Sequence, residues 1–470
     1  MTAALLEWRE LVRRSGVAFG VLAGGSLLGV GAVSSPPLAL AVAVGLVFTI
    51  VSFRSLAAGV ALFTVITFFD RIPGVDSAGL TGVKVAGAVL TVSWLVSLLG
   101  AHGTAGNVLR GYPVLAYAAL ALVSLAFASM LWAADVEVAG ASAFRLGQGV
   151  LLFAIVVFAV REPKHVAWVV WAYVTGAFVT AAIGLAGGSS AEELDPYAAS
   201  DRLEGSIGDP NELAAILVPA LALVIFSLVV FRAPLARWLL VAYGAVFVLA
   251  LFFTESRGGL VALGVTLLAI ATLSGSLRAR SLGAILIVAA VGLGYYTLAA
   301  PPETLARVTE FSAGGGTGRL DLWGIALDMS ADHPALGVGA GNFQVEEPVY
   351  ATRSITLLRP DLVVDTPKVA HNTYLNVLAE LGWVGLVFFL VLVVGPLAHA
   401  WRAVRGFERS GLYESEMLAR GIVVGTLGML AAFVFISAQY EKQLWLLLGL
   451  AAALSGIAAQ GRQEERSTSP

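Results

Sequence analysis

The chain of 470 residues contains no cysteine. That excludes disulfide frameworks, thiol catalysis and thiolate metal sites together. Histidine is scarce. The five histidines stand at 102, 165, 333, 371 and 399, with no HxH or HExxH spacing. A metal site would have to rest on carboxylates, and neither a metal nor a cofactor is expected. Charge is also short, at 13% of residues, where a soluble domain carries about 25%. The net charge of −3 leaves no basic footprint for a nucleic acid.

What fills the chain instead is apolar: 58% of residues are hydrophobic. Runs of about 18 or more apolar residues read as transmembrane helices. Such runs fall at 16–33, 37–53, 56–69, 84–100, 113–132, 147–160, 165–186, 212–231, 236–253, 258–275, 282–299, 373–397, 419–438 and 443–459. The runs at 56–69 and 147–160 are short for a hydrocarbon core of about 30 Å. The expected fold is therefore all-α, a polytopic integral membrane protein with about 12–14 transmembrane helices. The first run follows Arg9, Arg13 and Arg14. It reads as a retained span, being long for the apolar core of a signal peptide.

The gaps between runs alternate in sign. With the N-terminus in the cytoplasm, short inside gaps hold Arg54, Arg110, Arg161, Arg232, Arg237, Arg278, Arg280, Arg402, Arg405 and Arg409. That bias orients the chain with both termini cytoplasmic. The basic hairpin from His399 to Glu416 suits an anionic lipid leaflet. Two long gaps, 187–211 and 300–372, then face outward. The second is too long for a plain connector and is expected to be partly helical. Three regions follow: N-terminal transmembrane helices over 1–186, a region over 187–459 that includes the outer loop 300–372, and a disordered cytoplasmic tail over 460–470.

Four segments could carry chemistry, all on the outer side. Arg257, in Ser256-Arg-Gly-Gly259, stands at the mouth of a helix. Backbone amides and a guanidinium beside two glycines suit a phosphate or diphosphate; an ordinary interface arginine on lipid phosphate fits equally. Arg319 opens an amphipathic helix with Leu320, Trp323 and Leu327 as its apolar stripe and Thr317 as its cap. A cation in a first turn opposes the helix dipole, so Asp321 or a ligand must compensate it. His371 lies at the mouth of the span beginning near 373, with Asn372 and Tyr374 beside it; a lone histidine is more often a structural residue, but its place at an outer span mouth also suits proton transfer. Asp209, Pro210 and Glu212 read as a helix start. That leaves Arg202 and Asn211 as candidates for ligand contact. The span interiors hold almost no charge, which counts against a proton-coupled transporter.

Taken together, Gly208-Asp-Pro-Asn-Glu-Leu-Ala214, Ser256-Arg-Gly-Gly259, Gly318-Arg-Leu-Asp-Leu-Trp323, Gly337-Val-Gly-Ala-Gly-Asn-Phe343, His371-Asn-Thr-Tyr-Leu375 and Glu380-Leu-Gly-Trp-Val-Gly385 resemble the O-antigen ligase and O-antigen polymerase family of bacterial membrane glycosyltransferases. The resemblance covers about residues 200–390. It implies a metal-independent transferase whose donor is a glycan on undecaprenyl diphosphate at the outer face of the plasma membrane. It also implies that Arg257 and Arg319 hold the diphosphate and that His371 is the base. Arg202, Asn211, Asn372 and Tyr374 are expected to contact substrate. The acceptor would be a glycan, a lipid or a protein, with membrane lipids as the surroundings. A transporter or lipid-linked glycan flippase is the alternative, and would need ionisable residues at mid-span and broken helices in paired halves. A scaffold for an envelope complex would leave the three clustered residues without a purpose.

Overall fold

The computed structural model describes residues 36–69, 82–100, 111–187, 202–275, 278–300, 318–353, 357–358 and 367–468. No strand occurs among the described residues. The helices are α1 (Pro36–Arg54), α2 (Leu56–Ile66), α3 (Gly82–Gly100), α4 (Pro113–Ala128), α5 (Val136–Ala159), α6 (Pro163–Leu185), α7 (Pro210–Val230), α8 (Pro234–Phe253), α9 (Arg257–Leu273), α10 (Arg278–Gly294), α11 (Arg319–Asp332), α12 (Phe343–Arg353), α13 (Thr373–Arg409), α14 (Tyr413–Ala432) and α15 (Lys442–Thr468). Among the described residues nine helices are long and apolar enough to cross a membrane. Shorter apolar helices stand in α1, α2, α9 and α10, where four more spans are expected. The chain is an all-α, multi-pass membrane protein. The expected span at 16–33 and the arginines before it lie outside the described residues.

Charged residues had disguised the starts of several helices. The run at 147–160 looks short because Glu137 and Arg145 interrupt it. Yet α5 begins at Val136, where the Asp135 side chain accepts from Val138 N at 2.9 Å, and runs 24 residues. Helix α14 starts at Tyr413, six residues before the predicted span. This buries Glu416 and Arg420, which pair at 2.7 Å. Arg420 Nη1 also donates to the Leu273 carbonyl at 2.6 Å, satisfying the end of α9. The polar stretch expected to be disordered continues α15 to Thr468; its Gln, Arg and Glu residues are good helix formers.

The centre of the bundle is α7 against α14, the two most thoroughly buried spans together with α15. Glycines on one face of α14 make this possible. A side chain at Gly421 would meet Phe226 at 3.0 Å, and one at Gly425 would meet the Pro219 backbone at 3.2 Å. Small residues at such crossings let helix backbones approach, and dispersion then replaces the hydrophobic drive that lipid cannot supply.

Helix α13 is broken. Its 37 residues would reach about 55 Å, far more than a membrane requires. At Gly382 the backbone turns to φ 65, ψ −170. The break frees backbone groups that cannot stay unpaired in a dry environment. The loop after α11 takes them up. Val338 N donates to Ala379 O at 2.9 Å and Gly339 N to Glu380 O at 2.8 Å. In return Trp383 N donates to Pro334 O at 2.9 Å and Val384 N to Ala335 O at 3.3 Å. The outer loop is thereby hydrogen-bonded into the helix it precedes.

A side chain at 382 would adopt a backbone conformation that essentially only glycine occupies and would overlap the Ala335 backbone. Gly382→Ala is expected to cost at least about 1–3 kcal/mol, read as a lower thermal unfolding midpoint in detergent. An unchanged midpoint would contradict this account of the break.

Candidate active site

The site is assembled from the first turns of four helices. Helix α7 starts as its sequence predicts. Asp209 accepts from Asn211 N at 2.7 Å and Glu212 N at 2.9 Å, and Pro210 is the first helical residue. The Asn211 side chain then reaches sideways. Its Oδ1 accepts from Arg202 Nη2 at 3.2 Å and from Ser256 Oγ at 2.8 Å. Ser256 Oγ in turn accepts from Gly259 N at 3.1 Å and caps α9. Arg202 Nε donates to Thr254 O at 2.9 Å. Arg202 and Asn211 therefore tie the start of α7 to the start of α9. The two glycines after Arg257 allow the close fit: a side chain at Gly259 would meet Ala214 Cβ at 2.6 Å, and one at Gly258 would meet Phe435 Cβ at 2.7 Å.

Helix α11 lies over this corner. Gly318 takes the N-cap place with φ 73, in the left-handed region where glycine is unstrained, and Arg319 follows as the first helical residue. The expected cap, Thr317, lies outside the described residues. The expected apolar stripe is on the wrong side: Leu320 and Leu327 are exposed, and the buried face is Leu322, Ile325, Ala326 and Met329. That set has the i, i+3, i+4, i+7 spacing of a wide core stripe. The sequence therefore carries two apolar faces, and the one read from Trp323 is the outward one. Trp323 still helps to dock the helix, with its ring 6.4 Å from that of Phe435. Asp321 is buried and accepts from Leu358 N at 2.9 Å. The acidic charge that bears on Arg319 is instead that of Asp209.

His371 immediately precedes the cap of α13. Asn372 accepts from Tyr374 N at 3.0 Å and Leu375 N at 3.1 Å. Thr373 is pinned to the connection between α14 and α15: its N donates to Phe433 O at 2.9 Å, and its Oγ1 donates to Ile436 O at 2.7 Å. Tyr374 OH donates to Leu430 O at 2.8 Å on α14. These contacts leave His371 at φ 48, a left-handed conformation uncommon for a side-chain-bearing residue and a frequent mark of functional sites. Glu255, two residues before Arg257, has φ 49.

The charges converge. Burial pushes the Arg319 pKa down, Asp209 pulls it back up, and Arg257 pushes it down again. Burial lowers the His371 pKa to about 4, helped by Arg319 and Lys368 and opposed by Asp209. Among the described residues neither the Arg319 guanidinium nor the His371 imidazole has a hydrogen-bond partner. Arg257 and Arg319 both occupy first turns, where the helix dipole disfavours a cation. The starts of α7 and α13 stand beside them, with Asp209 as the acidic charge that acts on both Arg319 and His371. Guanidinium groups beside helix N-termini are an arrangement that can bind an anion.

Three residues escaped the sequence reading. Asp209 looked like a cap alone, but its charge acts on both Arg319 and His371. Glu380 and Asn376 lie inside the expected span 373–397, whose apolar run hides them. Glu380 is buried and accepts from Asn376 Nδ2 at 2.8 Å, from Tyr440 OH at 3.4 Å, and from the backbone amides of Gly341 and Phe343. Asn376 Oδ1 accepts from Ser437 Oγ at 3.1 Å and from Ala370 N, next to His371, at 3.4 Å. The i, i+4 spacing of Asn376 and Glu380 was the available signal.

The helix starts of this all-α membrane protein thus bring two half-buried arginines and a half-buried histidine to one corner. Residues 242–390 match the model of a family described as O-antigen ligase. The match includes Arg257, Arg319 and His371, while Arg202 and Asn211 precede it. It supports glycosyl transfer of the O-antigen ligase kind. A search of curated proteins finds no match to the chain.

Glu380→Gln would turn one of its acceptor atoms into a donor facing other donors. It should lower stability by about 1–3 kcal/mol, measured by thermal unfolding in detergent. Wild-type stability would mean that the Glu380 contacts are dispensable.

Proposed function

We propose that the protein transfers a glycan from undecaprenyl diphosphate to an acceptor hydroxyl at the outer face of a bacterial plasma membrane, as a polymerase or a ligase. The observation that carries this is the pair Arg257 and Arg319. Both stand where helix dipoles repel them, beside a histidine held in a strained backbone, and a diphosphate would relieve that repulsion.

His371 is the general base. Its imidazole takes the proton of the acceptor hydroxyl as that oxygen bonds to the anomeric carbon. The bond from the anomeric carbon to the phosphate oxygen breaks, and the electron pair leaves with the diphosphate. Arg257 and Arg319 hold the charge gained by the leaving group. The imidazolium then returns its proton to the diphosphate or to water. Two guanidinium groups supply the electrostatic stabilisation, so the step calls on neither a metal nor a nucleotide. Arg202 and Asn211 set the donor side of the site, and Asn372 and Tyr374 set the orientation of His371. The basic character of the opposite loops supports an extracytoplasmic site. The acceptor is another lipid-linked glycan, a lipid or a protein.

A transporter or flippase finds little support. Among the described residues one helix is broken, at Gly382, but its freed groups are closed by the protein's own loop. The buried Arg420 is tied to Glu416 and to the end of α9.

His371→Ala is expected to abolish glycan transfer in proteoliposomes while the protein still inserts. Full activity would remove the base assignment. Arg257→Lys should weaken donor binding, because a point charge cannot reproduce the bidentate fork; an unchanged donor affinity would argue against diphosphate at that position. The pH profile gives a third test. The base works only unprotonated, and its pKa in the free protein is about 4. The acid limb of kcat/KM should therefore fall near that pH rather than near 6.5. The limb of kcat should lie higher, since bound diphosphate offsets the Arg319 charge. An acid limb of kcat/KM near an ordinary imidazole value would contradict the buried geometry.

A further inference from the structure

One motif of the outer loop is left over by the transfer chemistry: Gly337-Val-Gly-Ala-Gly-Asn-Phe343. Its first two residues, Gly337 and Val338, line a cavity of 460 Å³, together with Trp132, Ala134, His333, Leu336 and Glu346. The opposite wall is the turn between α4 and α5.

The two walls are stitched together. Trp132 Nε1 donates to Gly337 O at 3.1 Å, and Ala340 N donates to Ser129 Oγ at 3.0 Å. Asp135 N donates to Asn342 Oδ1 at 2.8 Å, and Asn342 Nδ2 donates back to Asp135 O at 3.1 Å. The indole is thus fixed by its edge while 37% of the residue stays exposed. Such a ring is held ready before any ligand arrives, which lowers the entropy cost of binding.

The lining chemistry narrows the ligand. No Lys or Arg lines the cavity, so it does not suit a diphosphate. A fixed aromatic ring, one carboxylate, one imidazole and loop backbone groups instead suit the apolar faces and hydroxyls of a sugar. The cavity communicates with the candidate active site through hydrogen bonds: Glu380 accepts from Gly341 and Phe343 at the end of the motif and binds Asn376, which accepts from Ala370. It lies some way off, however. Glu380, which touches Gly337, is nine residues past His371, about 13 Å of helix rise. His333 is fourteen residues past Arg319, about 20 Å along α11.

We propose that this cavity is a remote glycan subsite, which grips an uncharged sugar of the glycan at a distance from the reacting hydroxyl. This rests on the glycosyl-transfer reading above. It makes the protein a reader of chain length: oligosaccharides long enough to reach from His371 to Trp132 bind better than short ones, and their remote contacts contribute to holding the reacting end in place.

The test uses the full chain in lipid nanodiscs and two probes. One is a panel of uncharged cello-, malto- and chito-oligosaccharides from disaccharide to hexasaccharide, read by saturation-transfer NMR. The other is undecaprenyl diphosphate. The wild type is expected to bind at least one hexasaccharide and to bind its disaccharide less well. Trp132→Ala should weaken that binding about tenfold, as truncating a central aromatic anchor does, and Trp132→Phe should largely keep it. Glu346→Gln leaves the Trp132 anchor in place and should also weaken binding, so the loss cannot be blamed on misfolding. Undecaprenyl diphosphate binding should be unchanged in all three variants. The proposal is overturned if no oligosaccharide binds the wild type, if binding ignores chain length, or if Trp132→Ala binds as the wild type does. Loss of diphosphate binding by the wild type, with oligosaccharide binding intact, would overturn the donor assignment and leave this subsite standing.

Discussion

The constraint on which the rest depends is the break in α13. A helix in a membrane can end or bend only where its freed backbone groups find partners. Here the partners are the loop 334–339, and the exchange is reciprocal: two amides of the loop to two carbonyls of the helix, and two amides of the helix to two carbonyls of the loop. The loop leads back into α11, which begins with Arg319. The helix leads back to His371. Closing the break therefore fixes both, and the buried Glu380 fastens the same joint from the other side through Gly341, Phe343 and Asn376.

With that joint closed, the electrostatics of the corner follow. Four helices present their starts together, and two of them carry an arginine as the first residue. Left alone, this would be an unfavourable place for cations. The protein offsets part of the cost internally with Asp209, which also stabilises the protonated form of His371. The compensation is incomplete, since burial still lowers the Arg319 pKa. An anionic ligand is the natural complement. Its arrival would also raise the proton affinity of His371, so under the proposed function donor binding and base strength would be coupled through one charge, Arg319.

The sequence disclosed the bundle and the sign of its loops because both rest on long, uniform signals. The apolar runs are long, and the short gaps alternate between arginine-rich and arginine-poor. Arg257, Arg319 and His371 were legible for a related reason: each is a polar residue at the mouth of an apolar run, where solvation alone does not explain it. What stayed hidden depends on contacts between segments. Asp209 satisfies its own helix start and gave no hint that α11 lies over it. Glu380 was lost within an apolar run, since a lone carboxylate among leucines has no visible partner until Tyr440 and the loop 341–343 are brought to it. The stripe on α11 was misread because a helix between protein and outer surface has two apolar faces, and periodicity does not say which one is inward.

The break at Gly382 also bears on how the protein works. In a carrier, a discontinuous helix leaves backbone groups open to bind an ion, and its two halves must move. Here the exposed groups are saturated by the chain itself, and the joint is braced by a buried carboxylate. The segment from Thr373 to Leu381 is thus separated from the rest of α13 by the break yet held in place by these hydrogen bonds. The remaining part, from Trp383 to Arg409, reaches about 40 Å and crosses the bilayer unaided. The closed break fixes the first turns of α13, next to His371, against the loop that follows α11. Rigidity of that kind suits a catalyst, which must hold a base, a leaving group and an acceptor in one geometry. It does not suit alternating access, which would require the same hydrogen bonds to open in every cycle.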